Sequence, residues 1–150
     1  MSDAALLPIV AEIDVTASIE HLWEAMTGAA GVPEWLGALN YRGVAGTTFH
    51  MQLDAARRAA GDVSGAAHCD VLLLQRPNRF NFSWYLPGTP YTLVAMTLFA
   101  EGAGESYVHV IHGGWAQFEA AAVRARYERI EALWTERLLP QLKQVAERSR

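Results

Sequence analysis

Hydrophobic positions recur first with a period of two and then with a helical spacing. Residues 9–15 place an apolar side chain at every second position, which predicts a half-buried strand. Ser18 then offers a helix-capping hydroxyl, and residues 20–27 carry the apolar pattern of a short helix. Pro33 begins a second helical piece that Gly37 ends. We therefore expect one strand followed by two short helices.

Five more alternating runs follow between residues 47 and 112, separated by turns that contain Gly or Pro. Residues 54–66 are rich in Ala, Gly and Arg and predict a loose hairpin loop. Leu72–Leu74 are continuous, so the register of that run is ambiguous, and we place Val71 and Leu73 inward. The predicted inward side chains are Phe49, Met51, Leu53, Val71, Leu73, Phe80, Phe82, Trp84, Val94, Met96, Leu98, Val108, Val110 and His112.

The C-terminal part of the chain predicts one long amphipathic helix that begins at about Gln117. Up to Pro140 it spans roughly 23 residues, or about 35 Å, which is enough to cross a whole sheet. Pro140 should kink or end the helix because it removes a backbone donor and clashes with the preceding turn. The apolar stripe consists of Val123, Tyr127, Ile130, Trp134 and Leu138.

These elements predict an α+β domain in the order β-α-α-β-β-β-β-β-α. Strands in succession closed by one long helix indicate a curved antiparallel sheet of about six strands that wraps around the C-terminal helix. The space between such a sheet and helix is often a cavity. This architecture points to small-molecule binding.

Composition excludes several other classes of protein. The 150 residues, 51% of them hydrophobic and 19% charged, fit a single compact domain over residues 1–150. The net charge of -4 and the lack of a basic block before residue 124 argue against nucleic-acid binding. No apolar run approaches the ~20 residues that a membrane helix needs. The lone Cys69 and an N-terminus without signal-peptide features lead us to expect a cytoplasmic protein.

The chain carries short motifs at residues 13–15, 22–27, 35–37, 46–49, 79–84 and 112–115, followed by Trp134 and Leu138. Their order and spacing resemble the START-like (SRPBCC) superfamily. The closest resemblance is to its branch named after activator homologues of the heat-shock-protein ATPase, which shades into polyketide-cyclase-like proteins. The resemblance implies a helix-grip fold with a cavity for apolar ligands between sheet and helix. Leu133, where relatives often have Gly, and the Ala/Arg-rich loop depart from the pattern.

Large aromatic side chains dominate the predicted interior. Planar rings can line a void and offer stacking faces to planar ligands, although aromatic stripes are more often core. On the basis of the resemblance, we expect a ligand-sized cavity. The candidate ligand-binding residues are Trp35, Phe49, Met51, Val71, Phe82, Trp84, Val94, Met96, Val110, His112, Trp115, Tyr127, Ile130 and Trp134.

His112 is the candidate for chemistry. At the end of an inward face and beside a Gly-Gly turn, it could donate a proton or anchor a ligand. The alternative is a buried histidine whose nitrogens are satisfied by hydrogen bonds. His109 falls on the opposite strand face, so the two histidines cannot chelate a metal together. We expect no metal and no cofactor.

Three functions remain open. The favoured hypothesis is non-enzymatic binding of a small hydrophobic or aromatic molecule. The second is a cyclase- or lyase-like enzyme on the same fold, with His112 as general acid/base. The third is a co-chaperone-like interaction protein.

The outward face of the last strand suggests self-association. Tyr107, His109 and Ile111 project from the side that the helix does not cover, and their composition is more typical of an interface than of bare surface. The alternative is that long neighbours such as Gln52 and Arg79 cover this face. We therefore expect a possible homodimer.

Overall fold

The computed structural model describes residues 5–87 and 89–148. One antiparallel sheet and a C-terminal helix form its two layers, which confirms the α+β helix-grip prediction. The strands are β1 (Ile9–Val15), β2 (Ala38–Leu39), β3 (Thr48–Met51), β4 (Ala67–Gln75), β5 (Arg79–Trp84), β6 (Thr92–Gly102) and β7 (Glu105–Gly113). The helices are α1 (Ile19–Thr27), α2 (Gly31–Leu36), α3 (Ala55–Ala59), α4 (Ala120–Leu133) and α5 (Leu139–Arg148).

The sheet has seven strands in the order β1-β7-β6-β5-β4-β3-β2, with every neighbouring pair antiparallel. The additional strand is β2, which has two residues and pairs with the end of β3. Gly37 turns the chain into it with a φ of 71°, a left-handed conformation that favours glycine. Such a short strand carries no alternating pattern, so the sequence did not predict it.

The segment predicted as a loose loop at 54–66 contains the short helix α3. The side chain of Asp54 caps it by accepting a hydrogen bond of 2.9 Å from the backbone N–H of Arg57. None of the α3 side chains is buried. The prediction missed this helix because it has no apolar stripe.

A β-bulge in β4 makes the predicted inward placement of Leu73 wrong. The register shifts between Val71 and Leu73, so that Val71 pairs with Phe82 but Leu73 pairs with Asn81. An extra residue reverses the alternation beyond it. Leu74 instead pairs with Phe80 and packs against the core.

The C-terminal helix starts later and extends further than predicted. A short 3₁₀ turn, Trp115–Gln117, precedes α4, and a π-helical turn, Trp134–Leu138, joins α4 to α5. Pro140 lies in the first turn of α5 and does not end the helix. The wider π turn just before Pro140 accommodates a residue that cannot donate to the helix and would crowd its preceding turn.

The predicted apolar stripe of this helix faces the sheet. Val123, Ile130, Trp134 and Leu138 are buried, while Tyr127 is half-buried against the core. Beyond the π turn, α5 continues the buried stripe and packs on α1 and α2. In the part of the chain that the structure describes, no helix is both long and apolar enough to span a membrane.

The convex face of the sheet carries the residues predicted to point away from the helix. The Tyr107 ring stacks on Phe99 at 4.7 Å, and His109 Nδ1 lies 2.9 Å from the Glu12 carboxylate. Ile111 is 41% exposed and pairs across the sheet with Val10, which is 56% exposed. Neighbouring rings and charges thus cover part of this face, and an aliphatic patch stays open.

Candidate functional site

A recess of about 290 Å³ opens between the sheet and the C-terminal helix. Its apolar floor comes from both layers, with Met51 at the end of β3, Trp84 at the end of β5 and Ile130 on α4. These three residues belong to the predicted site. The complete lining is Met51, Gln52, Leu53, Gly65, Ala67, Trp84, Leu86, Arg126, Arg129 and Ile130.

Strand alternation and register bring the floor residues together. Met51 and Trp84 sit at inward positions, where Met51 pairs with Ala67 and Trp84 with Thr92. The exposed fraction is 4% for Met51, 7% for Trp84 and 8% for Ile130. Each side chain is therefore packed on most sides and presents only an edge to the recess. Such fixed apolar surfaces are typical of small-molecule sites.

Other predicted site residues belong to the packed interior. A side chain without accessible surface touches no space large enough for a water molecule. The Phe49 and Phe82 rings lie 5.6 Å apart, and the Trp35 and Trp134 rings 6.4 Å apart. A ligand would reach these residues only by displacing other side chains. The predicted site residues with 0% exposure are Trp35, Phe49, Phe82, Met96 and Val110.

The remaining predicted residues lie beside the recess without lining it. Tyr127 is half-buried, and its hydroxyl donates a 2.8 Å hydrogen bond to the backbone carbonyl of Leu7. Its ring meets Trp115 edge-on at 5.5 Å. Val71, Val94, His112 and Trp115 are each 1% exposed, and Trp134 is 2% exposed.

His112 is the centre of a buried hydrogen-bond network. Its Nε2 lies 2.7 Å from the hydroxyl of Thr92, which in turn donates a 2.6 Å hydrogen bond to the backbone carbonyl of Trp84. The indole N–H of Trp134 donates to His112 Nδ1 over 3.1 Å. The backbone carbonyl of His112 accepts from the indole of Trp115 at 3.0 Å. Both ring nitrogens therefore have partners within the protein.

These partners define the protonation state of His112. An indole N–H can only donate, so Nδ1 must be the accepting nitrogen and carry no proton. The proton then sits on Nε2 and is donated to Thr92, whose own proton goes to Trp84. Burial lowers the pKa of His112 from 6.5 to about 3, so the ring is neutral at physiological pH. A proton on Nδ1 would point at the indole N–H of Trp134, so that two donors would face each other without an acceptor.

The rim of the recess depends on residues that the sequence analysis did not assign to the site. The Gln52 amide donates to the carbonyls of Asp62 and Ser64 at 2.9 and 2.8 Å, and its oxygen accepts from the Asp54 N–H at 3.1 Å. Gln52 therefore ties the 54–66 segment to the end of β3. It does not cover the convex face, as the alternative for that face supposed.

Arg126 and Arg129 are also lining residues that the sequence analysis missed. The charged residues of the helix fall mostly outside its apolar stripe, so the apolar pattern did not assign them to the site. Helical geometry nevertheless places Arg126, four residues before Ile130, on the same side of the helix, and Arg129 follows Arg126 by three residues. That spacing is the signal that could have identified them.

A larger groove of about 600 Å³ lies away from the predicted site, among α1, α2 and α5. Its walls include the carboxylates of Glu20, Glu24 and Glu34. Arg148 forms an ion pair with Glu34 there. Among the described residues that line this groove there is no Phe, Tyr or Trp, so the smaller recess fits a hydrophobic ligand better despite its volume.

Metal and thiol chemistry find no support in the described residues. Over residues 5–87 and 89–148, no three His, Cys, Asp or Glu side chains come together in a way that could hold a metal ion. Cys69 is completely buried, and this burial raises the pKa of its thiol well above the usual range. The thiolate form is therefore disfavoured.

The sheet, the long helix and the recess between them define a helix-grip domain of the START-like class. Residues 16–147 match the family model described as "Activator of Hsp90 ATPase homolog 1-like protein". The chain belongs to this family, which confirms the resemblance found in the sequence. No curated protein matches the chain.

Solved structures share this fold at low sequence identity. MLL2253 from Mesorhizobium loti is 22% identical, with a TM-score of 0.75 over 95% of this chain and 98% of that one. BH1534 from Bacillus halodurans is 26% identical, with a TM-score of 0.66 over 97% and 100%. The Aha1 dimer from Colwellia psychrerythraea is 17% identical, with a TM-score of 0.63 over 95% and 97%.

Proposed function

We propose that this domain binds a small hydrophobic or aromatic molecule in the recess between the sheet and the C-terminal helix. The observation that carries the proposal is the recess floor, where Met51, Trp84 and Ile130 converge from two strands and a helix. Apolar surface removed from water contributes roughly 25 cal/mol per Å² to binding. A concave apolar site can therefore bind a ligand without any covalent chemistry.

Trp84 is the residue best placed to contact an aromatic ligand. Its ring packs against Trp115 at 6.4 Å and edge-on against His112 at 5.6 Å. These neighbours hold the indole in one orientation before a ligand arrives. A pre-organised ring loses little conformational freedom on binding, which favours affinity.

The two other functions lack a specific supporting observation. A general acid/base works best when its pKa lies near the operating pH, whereas burial lowers the pKa of His112 to about 3. No carboxylate lines the described part of the recess to take over that role. The similarity to Aha1 from Colwellia psychrerythraea supports the fold alone and does not favour a co-chaperone function.

We also propose that the protein forms a homodimer through the convex face of its sheet. Ile111, Val10 and Leu93 are 41%, 56% and 53% exposed on adjacent strands of this face. Exposed aliphatic groups that lie together favour association over contact with water. The Colwellia psychrerythraea protein of the same fold is described as a dimer.

A fluorescence titration with uncharged N-phenylnaphthylamine tests the binding proposal. Emission from this probe rises when it enters an apolar site, and we expect saturable binding to the wild type. Trp84→Ala should weaken the affinity about tenfold, as expected for the loss of roughly 1.4 kcal/mol of contact. Phe99→Ala, which removes an aromatic ring from the convex face, is the matched control and should bind like the wild type. Equal affinities for all three proteins would contradict the proposal.

A further inference from the structure

Two arginines line the recess without a carboxylate partner. Arg126 and Arg129 both contribute to its walls, and Arg129 also borders an adjoining recess of about 450 Å³. Within residues 5–87 and 89–148, neither guanidinium forms an ion pair or a hydrogen bond. The charged lining of the 290 Å³ recess thus consists of two cations and no described anion.

Other arginines around the same rim have structural roles. Arg57 donates to the carbonyl of Ser64 at 3.2 Å, and Arg58 donates to the carbonyl of Gln52 at 2.7 Å. Arg137 donates to the carbonyl of Leu53 at 3.3 Å. These bonds hold the 54–66 segment and the end of β3 in place. Arg126 and Arg129 make no comparable bond, so a role in holding the rim together does not explain their position.

The position of Arg126 and Arg129 suits recognition of one anion. Residues three apart on a helix lie on the same side, one turn from each other. A guanidinium is always charged, and its planar fork matches the oxygens of a carboxylate, sulfonate or phosphate. The chain as a whole has a net charge of -4, so a generally basic surface does not explain this local pair.

We propose that the ligand is an amphipathic acid. Its apolar or aromatic body lies against Met51, Trp84 and Ile130, and its anionic group binds to Arg126 and Arg129 at the mouth of the recess. This inference rests on the proposed binding function and adds the chemical class of the ligand. The apolar floor supplies most of the affinity, and the arginines orient the molecule and select acids over neutral analogues.

Two probes that differ by one charged group separate this inference from the binding proposal. Anilinonaphthalenesulfonate (ANS) carries a sulfonate, and N-phenylnaphthylamine is its uncharged parent. Each is titrated into folded wild-type protein and into Arg126→Gln, Arg129→Gln and Arg124→Gln. Arg124 lies on the same helix but does not line the recess. Its replacement by Gln removes the same single charge as the other two changes. Circular dichroism and thermal melting establish that every variant is folded.

We expect the recess substitutions to weaken the binding of ANS but not of the uncharged probe. Arg126→Gln and Arg129→Gln should each lower ANS affinity roughly fivefold to tenfold, because each removes a charge-assisted hydrogen bond. Arg124→Gln should leave ANS affinity unchanged, and the uncharged probe should bind all four proteins equally. Added salt should weaken ANS binding to the wild type more than binding of the uncharged probe.

Three results would overturn the inference. Wild-type ANS affinity in both recess variants would remove the arginines from the site. An equal loss of ANS affinity in Arg124→Gln would show that Arg126 and Arg129 act only through general charge attraction. In either case, the proposed function stands if the uncharged probe binds to the wild type and binds more weakly to Trp84→Ala. Failure of both probes to bind the wild type would overturn the proposed function together with the inference.

Discussion

The indole N–H of Trp134 donates a hydrogen bond of 3.1 Å to Nδ1 of His112. This bond joins the first residue of the π turn to the inward face of the last long strand. It also selects the tautomer of His112, because the accepting nitrogen carries no proton. His112, a candidate proton donor, thus has a structural role in linking the C-terminal helix to the sheet.

His112→Gln is expected to destabilise the fold more than it weakens ligand binding. The change leaves the buried groups of Trp134 and Thr92 without well-placed partners, which should cost about 1–3 kcal/mol. Chemical denaturation measures this loss, and titration with N-phenylnaphthylamine measures affinity. Wild-type stability combined with abolished binding would place His112 in the ligand site instead.

The stability that neutral His112 provides should depend on pH. Its pKa is about 3 in the folded protein and 6.5 in the unfolded chain, so between these values only the unfolded chain binds the proton. Stability therefore decreases as the pH falls from 6.5 towards 3, by about 1.4 kcal/mol per pH unit. Between pH 7 and pH 5, the stability difference between wild type and His112→Gln should narrow by about 2 kcal/mol. A difference that stays constant over this range would contradict the burial of a neutral ring.

The sheet was largely predictable because each long strand has one buried face. Alternation alone placed Phe82, Trp84 and His112 inward, and all three are buried. The bulge between Val71 and Leu73 was not predictable, because the three consecutive leucines, 72–74, satisfy either register. At Pro140 the sequence predicted a disruption of the helix, but not the π turn that lets the helix continue past it.

The apolar floor of the candidate site, Met51, Trp84 and Ile130, was among the predicted residues, but the polar and small residues of its lining were not. Inward aromatic residues can either fill an interior or line a void, and alternation does not distinguish these outcomes. Trp35 and Phe49 have no accessible surface, whereas Trp84 reaches the recess. The difference arises where small residues such as Gly65 and Ala67 line the recess and add little bulk. This relationship between distant segments requires the three-dimensional structure.

Gln52→Leu is expected to loosen the rim of the recess. The change removes three partly buried hydrogen bonds that hold the 54–66 segment, each of which contributes roughly 0.5–1.5 kcal/mol. Trypsin should then cleave faster after Arg57 or Arg58. Gln75→Leu, at an exposed strand end, is the matched control and should be cleaved like the wild type. Equal cleavage of both variants would show that Gln52 does not restrain the segment.

Ile111→Glu is expected to convert a dimer into a monomer. A carboxylate in the aliphatic patch of the convex face would have to be desolvated on association, which opposes the interface. Light scattering should give twice the chain mass of 16.5 kDa for the wild type and the single mass for the variant. Val63→Glu, which adds the same charge at an exposed aliphatic residue in the 54–66 segment, serves as the control and should stay dimeric. A wild type that remains at 16.5 kDa across dilution would rule the dimer out.

The most direct measurement of the binding site uses the five tryptophans as internal reporters. Each indole N–H gives one cross-peak in a nitrogen–proton correlation spectrum of isotope-labelled protein, and N-phenylnaphthylamine is titrated to saturation. We expect the largest shift for Trp84, which lines the recess, and no shift for Trp35, which has no accessible surface. A Trp84 signal that stays in place while the Trp35 signal moves would contradict a ligand site in the recess.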